Sequence, residues 1–402
     1  MSALAQILKD LNHNVKGADV DHYLFTEKKL HEKEITIESF ENMNYEDCDI
    51  IIVGNAFIDK FSFKNKKIIS YQQALSLISD KFFSIAVCGT HGKTTITNMI
   101  KHILSNFCGV SYLVGDGSGK ANINDKYFIY EACEHKDHFL SYSPNIIVCS
   151  NVDYDHVEYF SNKKQYKSSF KSFFKKAKDK LIINESISFN SIYKSTFGIN
   201  SSTLKAHNIF YKESGIQFSL TYKNITFKNI NLPFFGKHML SNSLAAILCC
   251  AELGFNIMSI IDALKTYKDA GRRYNLSFFN SNVIIDDYGH HPKEIKSTIE
   301  AIKQEFPQKD IITIYHPDRP KRLLCFFNEY IKVFEKTKKY YILPFINEDE
   351  EKKNALSLFL NKSNAQLIDE SFFIKKYKNS VFLFTGSKEM KTIIRKLSIH
   401  LK

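Results

Sequence analysis

The sequence predicts an α/β protein of three modules with doubly wound, mostly parallel sheets, and three observations carry that prediction. Short runs of β-branched and aromatic residues alternate with helix-period segments along all 402 residues. One such run, Ser84-Ile-Ala-Val-Cys88, passes directly into Gly89-Thr-His-Gly-Lys93-Thr94-Thr95 and a helical pattern. Another, Val283-Ile-Ile-Asp286, ends in the turn-like Asp287-Tyr-Gly-His290-His-Pro292.

The modules are read as residues 1–81, 82–270 and 271–402. In the first, Ala3, Leu4, Ile7, Leu8 and Leu11 fall at helical spacing, a short strand is expected at 14–18, and Asp49 to Val53 reads as a second strand. The chain opens inside a helix, with no strand or glycine turn ahead of it. The expectation is that the natural protein begins roughly 15 residues earlier, one strand and a tight turn at ordinary lengths, with Met1 an internal methionine. Translating the reading frame upstream would check this. The second module reads as the strand at 84–88, a helix to about Phe107, strands at 110–114, 126–131 and 145–149, and a lysine-rich amphipathic helix at 163–176. Residues 206–233 favour antiparallel β-structure, and a helix at 240–253 follows. Strands at 283–286, 311–315, 339–343 and 381–385 define the third module.

Composition narrows the function classes. Hydrophobic residues at 44% and charged residues at 24% describe a globular chain, and no run of eighteen apolar residues occurs to span a membrane. The first residues do not read as a signal peptide, and the eight cysteines lack metal or disulfide spacing, so a reduced cytoplasmic setting is expected. The net charge of +12 comes from dispersed lysines, read as a solvated surface rather than a nucleic-acid groove, so no nucleic-acid partner is expected. Arginine is different. Only Arg272, Arg273, Arg319, Arg322 and Arg395 occur, and four of them form two tight pairs. A guanidinium is a planar fork that holds carboxylate or phosphate through two bonds, which lysine cannot do.

The chemistry-bearing motifs cluster at strand ends. In the loop from Gly89 to Thr95, glycines let backbone amides wrap an anion, Lys93 reaches terminal phosphates, and Thr94 can hold Mg²⁺. Only two residues separate Gly89 from Gly92, the short form of a P-loop. Glu131-Ala-Cys-Glu134 and Asn151-Val-Asp-Tyr-Asp155-His156 end later strands, where ligands of a parallel sheet bind. Carboxylate oxygens there suit magnesium. His238 and Asn242 lie four apart at a helix start, and Tyr315-His-Pro-Asp-Arg319-Pro-Lys-Arg322 ends a strand in paired guanidinium groups.

Taken together, GTHGKTT, SYLVGDGSGK, YEACEHKDHFLSYSPN, SNVDYDHVEYF, HMLSNSLAA, GRRYN, DDYGHHPKEI and PDRPKR resemble the Mur ligases, in order over nearly the whole chain. Within that family they are most similar to the branch that joins L-alanine to UDP-N-acetylmuramate, in its Gram-positive form. The resemblance implies a Rossmann-like UDP-substrate domain, a central P-loop ATPase domain and a C-terminal Rossmann-like amino-acid domain. It implies peptidoglycan precursor synthesis with ATP and Mg²⁺, and a monomer or homodimer. By position, Gly89, Thr90, His91, Gly92, Lys93, Thr94 and Thr95 would bind ATP with His238, Asn242, Arg273 and Asp287. Thr94, Glu131 and His156 would hold the metal, and Lys93, Glu131, His156 and His290 would be catalytic. Gly115, Gly117, Gly119, Tyr288, His290, Arg319 and Arg322 would contact UDP-N-acetylmuramate and L-alanine.

Three positions depart from the family pattern: Met239 after His238, His316-Pro-Asp318 before the arginines, and Gly386-Ser-Lys-Glu389 near the end. They bear on amino-acid choice rather than on the ATP loop. A ligase for another amino acid or a recycled tripeptide is therefore an open alternative. So is a nucleotide-binding pseudoenzyme with a decayed UDP domain, which the intact Lys93, Glu131, His156 and Arg273 speak against.

Overall fold

The computed structural model describes residues 1–20, 27–55, 57, 67–200, 203–269, 271–347, 349–368 and 374–399. They group into two compact units. The first comprises Met1–Asp153, Lys164–Lys205 and Asn242–Tyr267; the second comprises Tyr154–Lys163, Ala206–Ser241 and Lys268–Lys402.

At the front of the first unit, helix Ser2–Asp10 buries Ala3, Leu4 and Ile7 on one stripe, as its periodicity predicts. Strand Lys16–Asp19 pairs in parallel with Thr36–Ser39, and Ile50–Val53 with Lys67–Ser70. Ser70 then caps helix Tyr71–Ser79 reciprocally with Gln73. The main sheet of this unit runs, in spatial order, Gly119–Lys120, Val110–Leu113, Tyr127–Glu131, Phe83–Cys88, Ile146–Cys149, Lys180–Asn184 and Lys194–Gly198. Every pairing between these strands is parallel except the first. The last two strands were not read from the sequence. The central strand Phe83–Cys88 has a parallel neighbour on each edge and is buried on both faces from Ser84 onward, which is why its run does not alternate. Its carboxyl end delivers Gly89, and helix Lys93–Ser105 follows.

In the second unit, Gly215–Tyr222 and Ile225–Leu232 form the antiparallel pair expected of residues 206–233. Lys223 and Asn224 both have positive φ, the geometry of a two-residue hairpin turn matched to strand twist. A six-stranded sheet runs Asn275–Phe279, Asn282–Asp287, Ser380–Thr385, Asp310–Tyr315, Lys339–Ile342 and Gln366–Leu367. Only its first pair is antiparallel. Alternate residues feed two cores: Val283, Ile285, Ile311 and Tyr315 go to one, and Ile284, Ile312 and Ile314 to the other. Tyr154 and Val157 pack against the first of these. The parallel α/β class is therefore the observed one. Among the described residues no helix is long and apolar enough to cross a membrane.

Candidate active site

In the first unit the loop after Phe83–Cys88 is shaped by two glycines in left-handed conformations, Gly89 at φ +134° and Gly92 at +81°. Gly92 sits at the N-cap of helix Lys93–Ser105, so the helix begins directly at Lys93 and its first amides point along the loop. A side chain at Gly92 would bring its Cβ to 2.7 Å from Oδ1 of Asn242. Gly92→Ala is therefore expected to cost about 1–2 kcal/mol, combining a strained φ with a clash. It should also weaken ATP at least about tenfold, measured by thermal melting and calorimetric titration. Unchanged affinity in a destabilised variant would remove the loop from the phosphate site.

The loop is held from several sides. The His91 amide donates to Oδ1 of Asn151 (3.0 Å), while Asn151 Nδ2 (3.0 Å) and Ser150 Oγ (2.6 Å) donate to the His91 carbonyl. Thr90 Oγ1 donates to the Asp153 carbonyl at 2.6 Å and lies 2.8 Å from the Tyr166 hydroxyl. Tyr166 in turn donates to Glu134 at 3.3 Å. Glu134 is 0% exposed, and its carboxylate receives the Lys93 ammonium at 2.9 and 3.3 Å. Lys93 also donates to the carbonyls of Gly89 (2.5 Å) and Thr90 (3.2 Å). Burial alone would lower the Lys93 pKa, but the Glu134 carboxylate outweighs it and holds the ammonium above the usual lysine value. Lys93 is thus a fixed, permanently charged group curled against its own loop. Thr94 and Thr95 are buried in the first helical turn.

Glu131 adds to the negative charge that holds the Lys93 ammonium, and its side chain braces a second loop. Its Oε1 accepts the Gly115 amide at 2.5 Å, and a Cβ at Gly115 would sit 2.7 Å from Oε2. The glycine loop at 115–119 is also fastened to the first helix, where Gln6 Nε2 donates to the Gly117 carbonyl at 2.9 Å. Gly117 adopts φ +85°. Gly119 is required by packing, since a Cβ there would collide with the Ala3 backbone.

In the second unit, Asp287 ends strand Asn282–Asp287 and organises the turn behind it. It accepts from the amides of Tyr274 (3.0 Å) and Gly289 (2.9 Å) and from the Thr298 hydroxyl (3.1 Å). Arg272 is bound to Asp286 at 2.8 and 3.0 Å. Arg273 instead lies over the Tyr288 ring at 5.6 Å, and Tyr288, 39% exposed, meets the His290 ring edge-on at 5.6 Å. Guanidinium, phenol and imidazole are contiguous at the strand end, with the two rings nearly perpendicular at 83°. Burial lowers the His290 pKa, against the raising effect of Glu294, which leaves the imidazole neutral near pH 7. The His290 carbonyl is pinned by the hydroxyls of Tyr330 (2.6 Å) and Tyr315 (3.3 Å). His238 is held neutral by burial too, and its Nδ1 has no hydrogen-bond partner among the described residues.

The segment Tyr154–Lys163 belongs to this unit through two arginines. Arg322, 2% exposed, donates Nε and Nη2 to Asp155 at 3.0 and 3.2 Å, and Nη1 to Asp318 at 2.9 and 3.0 Å. Sequence reasoning aimed this fork at a substrate; here both of its edges are filled by the protein's own carboxylates. Arg319 contacts Glu158, and its Nη1 lies 3.4 Å from Nδ1 of His156. His156 has φ +52° and also faces Glu158 at 3.4 Å. Burial opposes the charge on Glu158, but hydrogen bonding to His156 and the Arg319 charge bring its pKa down to about 2.

Four neighbours of the candidate site residues were not singled out from the sequence: Glu134 as the partner of Lys93, Tyr166 as its bridge to Thr90, and Asp155 with Asp318 as the seat of Arg322. Glu134 and Asp155 stood within the acid clusters already noted, but Tyr166 gave no local signal.

A parallel sheet that ends in a glycine-bent loop, an N-terminal helical lysine and a buried acid defines a P-loop α/β protein. The family follows from direct comparison. The Mur ligase middle domain matches residues 87–250, and the Mur ligase glutamate ligase domain matches residues 272–381. These two matches span more than half of the sequence, and the chain belongs to the Mur ligase family. Among solved structures it is similar to UDP-N-acetylmuramate-alanine ligase MurC from Thermotoga maritima. That pair shares 22% identity over 99% of this chain and 95% of the other, with a TM-score of 0.80. A murein peptide ligase from Psychrobacter arcticus gives a TM-score of 0.70 at 19% identity, covering 100% of this chain and 97% of the other. MurF ligase from Thermotoga maritima in complex with ADP gives 0.67 at 16% identity, covering 98% and 96%. The common fold extends across the residues ahead of 87, which neither family match reaches.

Proposed function

We propose that this protein joins L-alanine to UDP-N-acetylmuramate in three modules, 1–81, 82–270 and 271–402, with ATP as the energy source. The observation that carries the reading is Lys93, a half-buried ammonium held by Glu134 where a phosphate loop meets its helix. The muramoyl carboxylate oxygen attacks the γ-phosphorus of ATP, ADP leaves, and an acyl phosphate forms. The alanine nitrogen then attacks the carbonyl carbon and loses a proton, and inorganic phosphate departs. His290, neutral and set beside Tyr288, is suited to take that proton. Arg273 and Tyr288 offer a stacking surface, and Arg319, paired with Glu158 here, is assigned to a substrate carboxylate.

Within the first unit the residues for Mg²⁺ are Thr94 and Glu131, and to these we add Glu134; His156 belongs to the second unit, where it faces Glu158 and Arg319. The fully buried carboxylate of Glu134 beside Lys93 is an oxygen donor of the kind magnesium prefers. Bound with ATP, the ion supplies neutralisation of phosphate charge. Arg322 acts as a positioning residue: it holds Asp155, and through the chain His156, in place.

Phosphate release with UDP-N-acetylmuramate and ATP, measured against L-alanine, glycine, L-serine and a diaminopimelate tripeptide, tests the reading. L-Alanine should be preferred by at least about tenfold in kcat/KM over the other amino acids, one methyl or hydroxyl being worth that much in a fitted pocket. Preference for the tripeptide would move the protein to the recycling branch, and no turnover with any acceptor would favour the pseudoenzyme.

A further inference from the structure

Helix Lys163–Phe174 divides sharply into two faces. Tyr166, Ser169, Phe170, Phe173 and Phe174 are buried, so the helix is locked into the first unit by its aromatic side. Lys164, Lys167, Lys171 and, just past its end, Lys175 are exposed and fall at helical spacing along the opposite side. They form one row about 16 Å long at 1.5 Å per residue. No acid occurs from Tyr159 to Lys178, and among the described residues none of these four lysines has an ion-pair partner.

Local stability does not account for this arrangement. The first helical turn carries Lys163 and Lys164 and no acid, although the positive end of the helix dipole favours the reverse. The acids that touch this helix, Asp137 at Ser169 and Glu134 at Tyr166, do so on its buried side, and Asp179, the next acid along the chain, receives Asn145 Nδ2 at 2.8 Å. A row of like charges that begins against the dipole at Lys164 is what an external polyanion would repay.

We propose that this lysine row docks the protein on an anionic lipid surface. A straight, convex helix face meets a plane of lipid phosphates along its whole length. A nucleic-acid strand would call for arginine forks and exposed rings to stack on, and the row has neither, its aromatics all being on the buried side. Each lysine near an anionic surface strengthens partition by roughly fivefold, so four acting together reach the order of a hundredfold or more. The inference is independent of the substrate and requires no turnover to test.

The experiment is sedimentation of the whole chain with phosphatidylglycerol–phosphatidylcholine vesicles and with phosphatidylcholine vesicles alone, at about 0.1 M salt, where exposed charges still act over roughly 10 Å. The parent should bind only the anionic vesicles. Replacing Lys164, Lys167, Lys171 and Lys175 by Glu should weaken partition about a hundredfold. The same exchange at the exposed Lys303, Lys353, Lys362 and Lys378 alters net charge equally and should weaken it no more than about threefold. Acids in the first turn favour the helix, and an unchanged melting temperature would show that the row variant still folds. Equal binding to both vesicle types, or equal loss in the two quadruple variants, overturns the proposal. So does row-dependent binding of a 20-base DNA without vesicle binding, which would make the row a nucleic-acid contact.

Discussion

Lys93→Ala is expected to lower phosphate release by roughly 10²–10³-fold or more, because a fixed charge that stabilises a transferring phosphoryl group is lost. The structure adds a second effect. Glu134 is fully buried and relies on Lys93, so the single variant strands a carboxylate in the interior, at a cost of about 3–5 kcal/mol. Turnover alone would then confuse chemistry with folding. Lys93→Ala combined with Glu134→Gln removes the stranded charge and should recover most of the melting temperature without recovering turnover. Release within tenfold of the parent in a well-folded double variant would take Lys93 out of the reaction.

Arg322→Ala should be the most destabilising change in the second unit, by about 3–5 kcal/mol, because the buried Asp155 and the half-buried Asp318 lose their common partner. Its pH dependence distinguishes the clamp from ordinary packing. Burial pushes Asp155 and Asp318 up, but Arg322 outweighs it and holds both below the usual carboxylate range. With the folded pKa depressed, their contribution is complete above about pH 5 and is lost as pH falls through the folded values. Without Arg322, burial dominates and both acids take up protons more readily in the folded state. The stability gap between parent and Arg322→Ala should therefore narrow from pH 7 towards pH 3, measured by chemical denaturation. A gap under about 1 kcal/mol at pH 7, within the range of an exposed pair, would show the pair to be incidental. Arg322→Lys should fall between the two, since an ammonium keeps the charge but cannot span both carboxylates.

What the sequence made legible depends on range. The strand Phe83–Cys88, its glycine turn and its helix are consecutive in the chain, so period, breaker and charge all appear in one window. The turn after Asp287 was readable for the same reason, although the reciprocal cap that His291 and Glu294 give helix Pro292–Glu305 was not read from the sequence. The arginine pairs stood out because lysine is written almost everywhere else. Their partners did not. Asp155 and Arg322 are 167 residues apart, and Lys93 and Glu134 are 41 apart. No local pattern states which of several acids a cation will meet, because that is decided by sheet order. The strands Lys180–Asn184 and Lys194–Gly198 were missed for a related reason. They are short, and they take their places by pairing with each other and with Ile146–Cys149 rather than by propensity.

The way the chain threads Tyr154–Lys163 into the second unit also sets an order of events during synthesis. Asp155 leaves the ribosome 167 residues ahead of Arg322. At roughly 5–20 residues per second, that interval is on the order of 10–30 s. Throughout it the carboxylate has no guanidinium to close on, so it stays hydrated and its segment stays unfixed, even where the sheet upstream has already formed. A nascent chain stalled before residue 322 should therefore be cut by protease between 154 and 163, and one released past the end of the second unit should resist.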